Sequence, residues 1–76
     1  MPANSQTALE TPGGRIRFLR RSKDMTQESL ARAVFTTQPT IARWEKDEFL
    51  PSRQSQRLLA DALGVSPAFL FPEWGQ

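Results

Sequence analysis

The stretch from Thr26 to Glu45, TQESLARAVFTTQPTIARWE, leaves this chain few ways to fold. Thr26 is a good helix N-cap, and Glu28 follows in the first turn, where the helix dipole favours an acid. Leu30, Ala31 and Val34 then recur at helical spacing, which predicts a helix over roughly Gln27 to Val34. After a tight turn, Thr37 is placed to cap a second helix, roughly Gln38 to Lys46, with Pro39 in the first turn, where its missing N–H costs little. Ile41 and Trp44 face inward there, and Gln38, Thr40 and Arg43 face out. Two short helices joined in this way present a polar helix N-terminus outward. Such an end suits a DNA major groove, where each base pair displays its own pattern of donors and acceptors.

The flanking sequence predicts three more helices. Thr11-Pro12 reads as a cap and first-turn pair, so the first helix starts near Pro12 or Gly14 and ends near Lys23. Ile16, Leu19 and the Lys23 stem fall on its inner stripe; Gly13 and Gly14 weaken its start. Asp47 to Pro51 is a loop, with Asp47 and Glu48 read as solvated acids. Ser52 caps a helix from Arg53 to Leu63, with Leu58, Leu59, Ala62 and Leu63 inward and Gly64 as its stop. Ser66-Pro67 opens a short last helix ending at Leu70 or Phe71. Glu28 and Arg32 are spaced for an i,i+4 pair. With no strand-like alternation and no repeat, the expectation is an all-α, compact five-helix bundle. It comprises a mobile arm over 1–11, a domain over 12–71 and a tail over 72–76.

Composition narrows the function. At 76 residues, the chain holds one domain with a small core. Cysteine and histidine are both absent, so the usual thiol nucleophile, general base and zinc ligands are missing. Gly13-Gly14 is not a phosphate loop. The reading is therefore not an enzyme, with no cofactor, no metal and no small-molecule ligand expected. No apolar run approaches the ~20 residues of a membrane span, and no signal peptide is visible, so the expected location is cytoplasmic. The net charge of +2 says little, but Arg15, Arg17, Arg20, Arg21 and Lys23 crowd together with no acid between them. That run is either a phosphate-contacting surface or a solvated helix face.

Four blocks, GRIRFLRR, MTQESLA, TTQPTIARWE and LPSRQSQRLLADALGVSPAFLF, stand in register from Gly14 to Phe71. Over about three quarters of its length, the chain thereby resembles the Cro/CI-type phage repressor helix-turn-helix family (XRE-like). The resemblance implies a lambda-repressor-like bundle in which the second helix crosses the phosphate backbone and the third reads base edges. It also implies a homodimer on a partly palindromic operator in double-stranded DNA. Two positions depart from the family pattern: Phe35 stands where the turn usually has Gly, and Thr36 where it is usually apolar.

The resemblance distributes roles. Gln38 is the leading base reader, since Gln pairs bidentately with adenine. Arg43 reaches a guanine or a phosphate, and Thr40 a thymine methyl or a phosphate. Gln27, Thr37, Lys46, Arg53, Arg15 and Arg17 are expected at DNA phosphates, setting orientation but not sequence choice. Arg20 and Glu45 are placed as a partly buried structural ion pair. Trp44 and Phe69 read as core, with Phe18 and Phe49 less determined. Leu70, Phe71 and Trp74 make an apolar end that a monomer would not readily cover, and the resemblance makes it a dimer contact. The opposing reading folds Trp74 back on its own domain. A phage or prophage-type repressor is the leading function. The alternatives are an antitoxin or accessory subunit that mainly binds a partner protein, and an interaction module with vestigial DNA contacts.

Overall fold

A computed structural model describes residues 9–72. Five helices follow one another: α1 Pro12–Ser22, α2 Gln27–Ala33, α3 Gln38–Glu45, α4 Arg53–Leu63 and α5 Pro67–Leu70. Each lies within a residue or two of its predicted bounds, because capping residues punctuate this chain clearly. The hydroxyls of Thr11, Thr26, Ser52 and Ser66 each accept a bond from a backbone N–H in the first turn of the helix they precede. Thr26 and Ser29 close a reciprocal capping box. Thr37 occupies the N-cap of α3, but its hydroxyl makes no cap bond and lies 3.0 Å from that of Thr40.

The first four helices end alike. Behind α1, α2, α3 and α4 stand Asp24, Phe35, Asp47 and Gly64, all with positive φ. The N–H after each reaches five residues back: Met25 to Arg20, Thr36 to Ala31, Glu48 to Arg43 and Val65 to Ala60. This is the Schellman closure, which satisfies the last carbonyls. Asp tolerates the left-handed region and Gly has no side chain to strain. Phe35 has neither excuse: at φ 62 it adopts the conformation a glycine would take, and the residue is 84% exposed. The turn therefore keeps its path at a conformational cost of roughly 1–2 kcal/mol.

Eleven buried side chains make the core: Ile16, Leu30, Ala31, Val34, Ile41, Trp44, Leu59, Ala60, Leu63, Leu70 and Phe71. Helices α2 and α3 pack against each other most extensively, and α1 touches α3, α4 and α5. The buried stripe of α4 is Gln56, Leu59, Ala60 and Leu63, one step round from the predicted one, with Leu58 and Ala62 at its edge. Gln56 hid it, being polar; its amide is satisfied by the Pro51 carbonyl at 3.1 Å.

Several expectations need correcting. Phe69 is half-exposed, and the ring that fills the core is Phe71. Leu70 and Phe71 are fully buried within one chain, so they are not an apolar end awaiting cover. Trp74 lies outside the described residues, as do residues 1–8 of the expected arm. Lys23 is exposed rather than stripe-facing. Arg20 pairs with Glu45 and Arg43 with Glu48, whereas Glu28 and Arg32 do not pair with each other.

Gly13 sets how closely α1 approaches the end of α3. A Cβ there would lie 2.7 Å from the Glu45 carbonyl carbon and closer still to the Trp44 and Glu45 carbonyl oxygens. These neighbours are backbone and cannot rotate aside. From the other direction, Asp47, turned back by its positive φ, accepts the Gly13 N–H at 2.8 Å. It is thus a cap for α1, not a solvated loop acid. Gly13→Ala should destabilise the protein by about 1–3 kcal/mol through overpacking, despite the better helix propensity of Ala. A lowered urea midpoint at unchanged slope is the expected readout.

Candidate nucleic-acid interface

The faces of α3 divide sharply. Ile41, Trp44 and Glu45 are buried, Pro39 and Arg43 are exposed, and Gln38 and Thr40 lie between. The polar side chains therefore project from the start and outer surface of the helix. With no side-chain cap from Thr37, the first N–H groups of α3 are left to whatever meets that end. The Arg43 guanidinium stands 4.0 Å from the Glu48 carboxylate, both largely exposed, which is a weak tether that a stronger anion displaces.

Behind this surface lies a buried charge pair. The Arg20 Nε donates to Glu45 Oε2 at 2.6 Å and its Nη2 to Oε1 at 3.2 Å, with both side chains under a tenth exposed. Its Nη1 donates to the Met25 carbonyl at 2.8 Å. The pair ties α1 to the end of α3, as expected, and every Glu45 contact is an accepted bond. A third side chain joins: Gln27, the first residue of α2, donates from Nε2 to Glu45 Oε1 at 3.0 Å. Its Oε1 accepts from Gln38 Nε2 at 2.7 Å. A continuous chain of bonds runs from the interior through Gln27 to the side chain expected to read DNA. Sequence reasoning missed this link. It gave Gln27 to a phosphate and saw no connection to Gln38, eleven residues away and on another helix.

The basic residues sort by helix face. Arg17, Arg20 and Arg21 of α1, Thr26, Gln27 and Glu28 at the start of α2, and Ala42 and Glu45 of α3 with Lys46 just beyond it line one shallow concavity of about 480 Å³. Arg17, Arg21 and Lys46 are exposed on it, bringing three cations beside the start of α2. Arg21 stands out in the sequence only as part of the basic run; its i,i+4 relation to Arg17 places both on one face. Arg15, two residues before Arg17, is turned some 200° away around the helix. It donates to the Leu70 carbonyl at 3.1 Å and the Glu10 carbonyl at 3.4 Å. Arg15 is thus a clamp on the end of α5 rather than part of the cationic surface. Arg53 is exposed at the start of α4 and does not line the concavity.

No group of His, Cys, Asp and Glu suited to a metal occurs among the described residues, and no helix of theirs is long and apolar enough to cross a membrane. An outward helix start bearing amide and hydroxyl groups, backed by a cationic concavity, defines a helical domain built to read a polyanion. Residues 16–70 match the helix-turn-helix family model HTH_3, and the chain belongs to this family of Cro/CI-type DNA-binding regulators, which is not a family of enzymes. It is 32% identical over 65 residues to the HTH-type transcriptional regulator DicA of Escherichia coli, a match covering 86% of this chain and 48% of DicA. It therefore spans about half the length of that curated relative. Its fold is similar to the P22 c2 repressor solved in complex with synthetic operator 9T: TM-score 0.81, 30% identity, 88% of this chain and 98% of that one. The solution structure of the DNA-binding domain of the same repressor gives a TM-score of 0.78 at 31% identity, over 82% of each chain.

Removing one member of the buried pair strands the other charge. Arg20→Met should destabilise the fold by about 3–5 kcal/mol, while replacing both partners with apolar residues of similar size should recover much of the loss. Equilibrium unfolding of the two single variants and the double variant measures this coupling.

Proposed function

We propose that this chain is a sequence-specific regulator of transcription of the repressor type, binding double-stranded DNA as a homodimer on a partly palindromic operator. The observation that carries this reading is the placement of Gln38. It sits at the uncapped, outward start of α3, held by a bonded network, beside a concavity bearing Arg17, Arg21 and Lys46. In the proposed complex α3 enters the major groove. Gln38, Thr40 and Arg43 face base edges, and Arg17, Arg21, Lys46 and Gln27 meet phosphates. Thr37 joins the phosphate contacts with a hydroxyl that no helix N–H occupies. Two subunits would place their reading helices roughly 34 Å apart, in successive grooves. Occupancy of a promoter then blocks polymerase, and the protein acts in the compartment that holds its DNA, the cytoplasm of a bacterial or phage-infected cell.

The competing reading, an accessory subunit devoted to a protein partner, rests on the apolar tail and the expected mobile arm. Two of the residues on which it rested, Leu70 and Phe71, are core. The dimer contact, if it uses this end of the bundle, must be made by side chains such as the half-exposed Phe69.

Selection from random duplex DNA at about 150 mM salt, where non-specific phosphate binding is weak, tests the proposal. Enrichment of a two-fold symmetric motif is expected; enrichment of nothing would overturn it. On the selected operator, Gln38→Ala should cost about 1–3 kcal/mol of binding and relax choice at one base pair. Arg21→Ala should weaken all sequences alike. It should also reduce the slope of log K against log salt by about 0.9, the contribution of one phosphate contact. A titration from low to moderate salt reads that slope directly.

A further inference from the structure

We infer that Glu48 makes Arg43 a reader of guanine rather than a contact to phosphate, by cancelling the charge of its guanidinium while leaving its terminal donors free. This role rests on the proposal that the outer face of α3 meets DNA. It goes further by assigning Arg43 to a base edge through a residue that touches none.

The fold sets the place of Glu48. Behind α3 the chain turns through Asp47 at φ 60, and the Glu48 N–H closes back on the Arg43 carbonyl at 3.0 Å. The residue that bears the carboxylate is thus bonded, backbone to backbone, to the residue that bears the guanidinium. Their side chains stand 4.0 Å apart, from Arg43 Nε to Glu48 Oε1. The neighbouring acid, Asp47, is committed to the Gly13 N–H at 2.8 Å. Glu48 is therefore the carboxylate that the closing turn of α3 holds beside Arg43.

A separation of 4.0 Å is too long for a hydrogen bond, yet short enough for charge to act. It also lies on the Nε edge. The fork that grips guanine O6 and N7 is made by the terminal guanidinium nitrogens, beyond Nε. Glu48 spends none of those donors; what it removes is net charge. A phosphate attracts a guanidinium through charge, whereas a guanine edge is neutral and attracts it through donor geometry. To take Arg43, a phosphate must displace Glu48 and leave that carboxylate beside the anionic backbone. A guanine accepts the terminal fork with Glu48 still in place. Both side chains are at least half exposed in the free chain, and a duplex that displaces water from α3 strengthens the effect of the carboxylate. Arg17, Arg21 and Lys46, exposed on the concavity, stay with the phosphates. Glu48 is a positioning residue in this scheme, setting what its neighbour prefers.

The test uses the full chain, the selected operator and a scrambled duplex of the same length and composition. On the operator, Arg43→Ala should relax choice at one base pair, and that pair should be G·C. Glu48→Gln keeps the size of the side chain and the backbone closure but removes the charge. It should bind the scrambled duplex about threefold tighter, the scale of an exposed ion pair. It should also steepen the salt slope on that duplex by about 0.9 per subunit, as Arg43 gains a phosphate. The operator should gain less, so the ratio of operator to scrambled affinity falls by roughly twofold or more. In an Arg43→Ala background, Glu48→Gln should change little, because its effect runs through Arg43. An equal gain on both duplexes, or the same gain with Arg43 removed, means that Glu48 merely repels DNA and overturns the inference. So does a salt slope reduced by Arg43→Ala with no base pair relaxed, which makes Arg43 a phosphate contact. In those cases a selected motif that loses one base preference in Gln38→Ala still leaves α3 as the reading helix. Selection that enriches no motif overturns both.

Discussion

The buried bond between Arg20 and Glu45 is the joint on which the rest of the molecule hangs. A charge pair at this depth has to recover the hydration both ions lose, and does so only when its geometry is good and its remaining donors are satisfied. Here they are: three of the guanidinium nitrogens donate, two to Glu45 and one to Met25, and the carboxylate accepts from Gln27 as well. The pair fixes the end of α3 against α1. Gly13 and Asp47 repeat that attachment about two turns away along α1, by close backbone approach and by a cap bond. The outer surface of α3 is thereby presented at a set depth and rotation.

Much of this was legible in the chain. Thr11, Thr26, Ser52, Ser66 and Gly64 announce helix ends through their own chemistry, and Ile16, Leu30, Val34, Ile41 and Trp44 announce buried faces through spacing. What stayed hidden has physical reasons. The short α5 offers a single turn, too little for periodicity to decide between Phe69 and Phe71. Arg15 sits in a basic run that reads uniformly along the sequence, and only the helix sends it to the opposite face from Arg17. Asp47 is an exposed loop acid until the backbone turns it back onto Gly13. The Gln27–Gln38 bond crosses from one helix to another, and amide pairs leave no mark in sequence spacing.

The division of α3 into a bonded inner face and an open outer face separates two kinds of selection. Ile41, Trp44 and Glu45 answer to packing and charge. Pro39 and Arg43 are exposed and Thr40 is half-buried, so these positions answer less to the packing of their own fold. Gln38 belongs to both sides, because one end of its amide is spoken for. Replacement at this position alters the bonded network as well as the outward surface.

Phe35 bears on how the two central helices can move. A glycine in that turn samples a broad range of φ of either sign, so the angle between α2 and α3 would relax by small degrees. A phenylalanine held at φ 62 occupies a narrow well, and its alternatives lie across a barrier in the extended region, where the closure from Thr36 to Ala31 is lost. The joint is therefore either made or broken, without intermediate bends. In the proposed complex, a reading head on so stiff a joint would not follow small irregularities of the groove, and the duplex would have to supply the accommodation. The energy of deforming DNA depends on its base steps, and pyrimidine–purine steps yield most easily. In the proposed complex, a stiff turn in the protein would become a preference for pliant sequence in the operator, felt at base pairs that no side chain reaches.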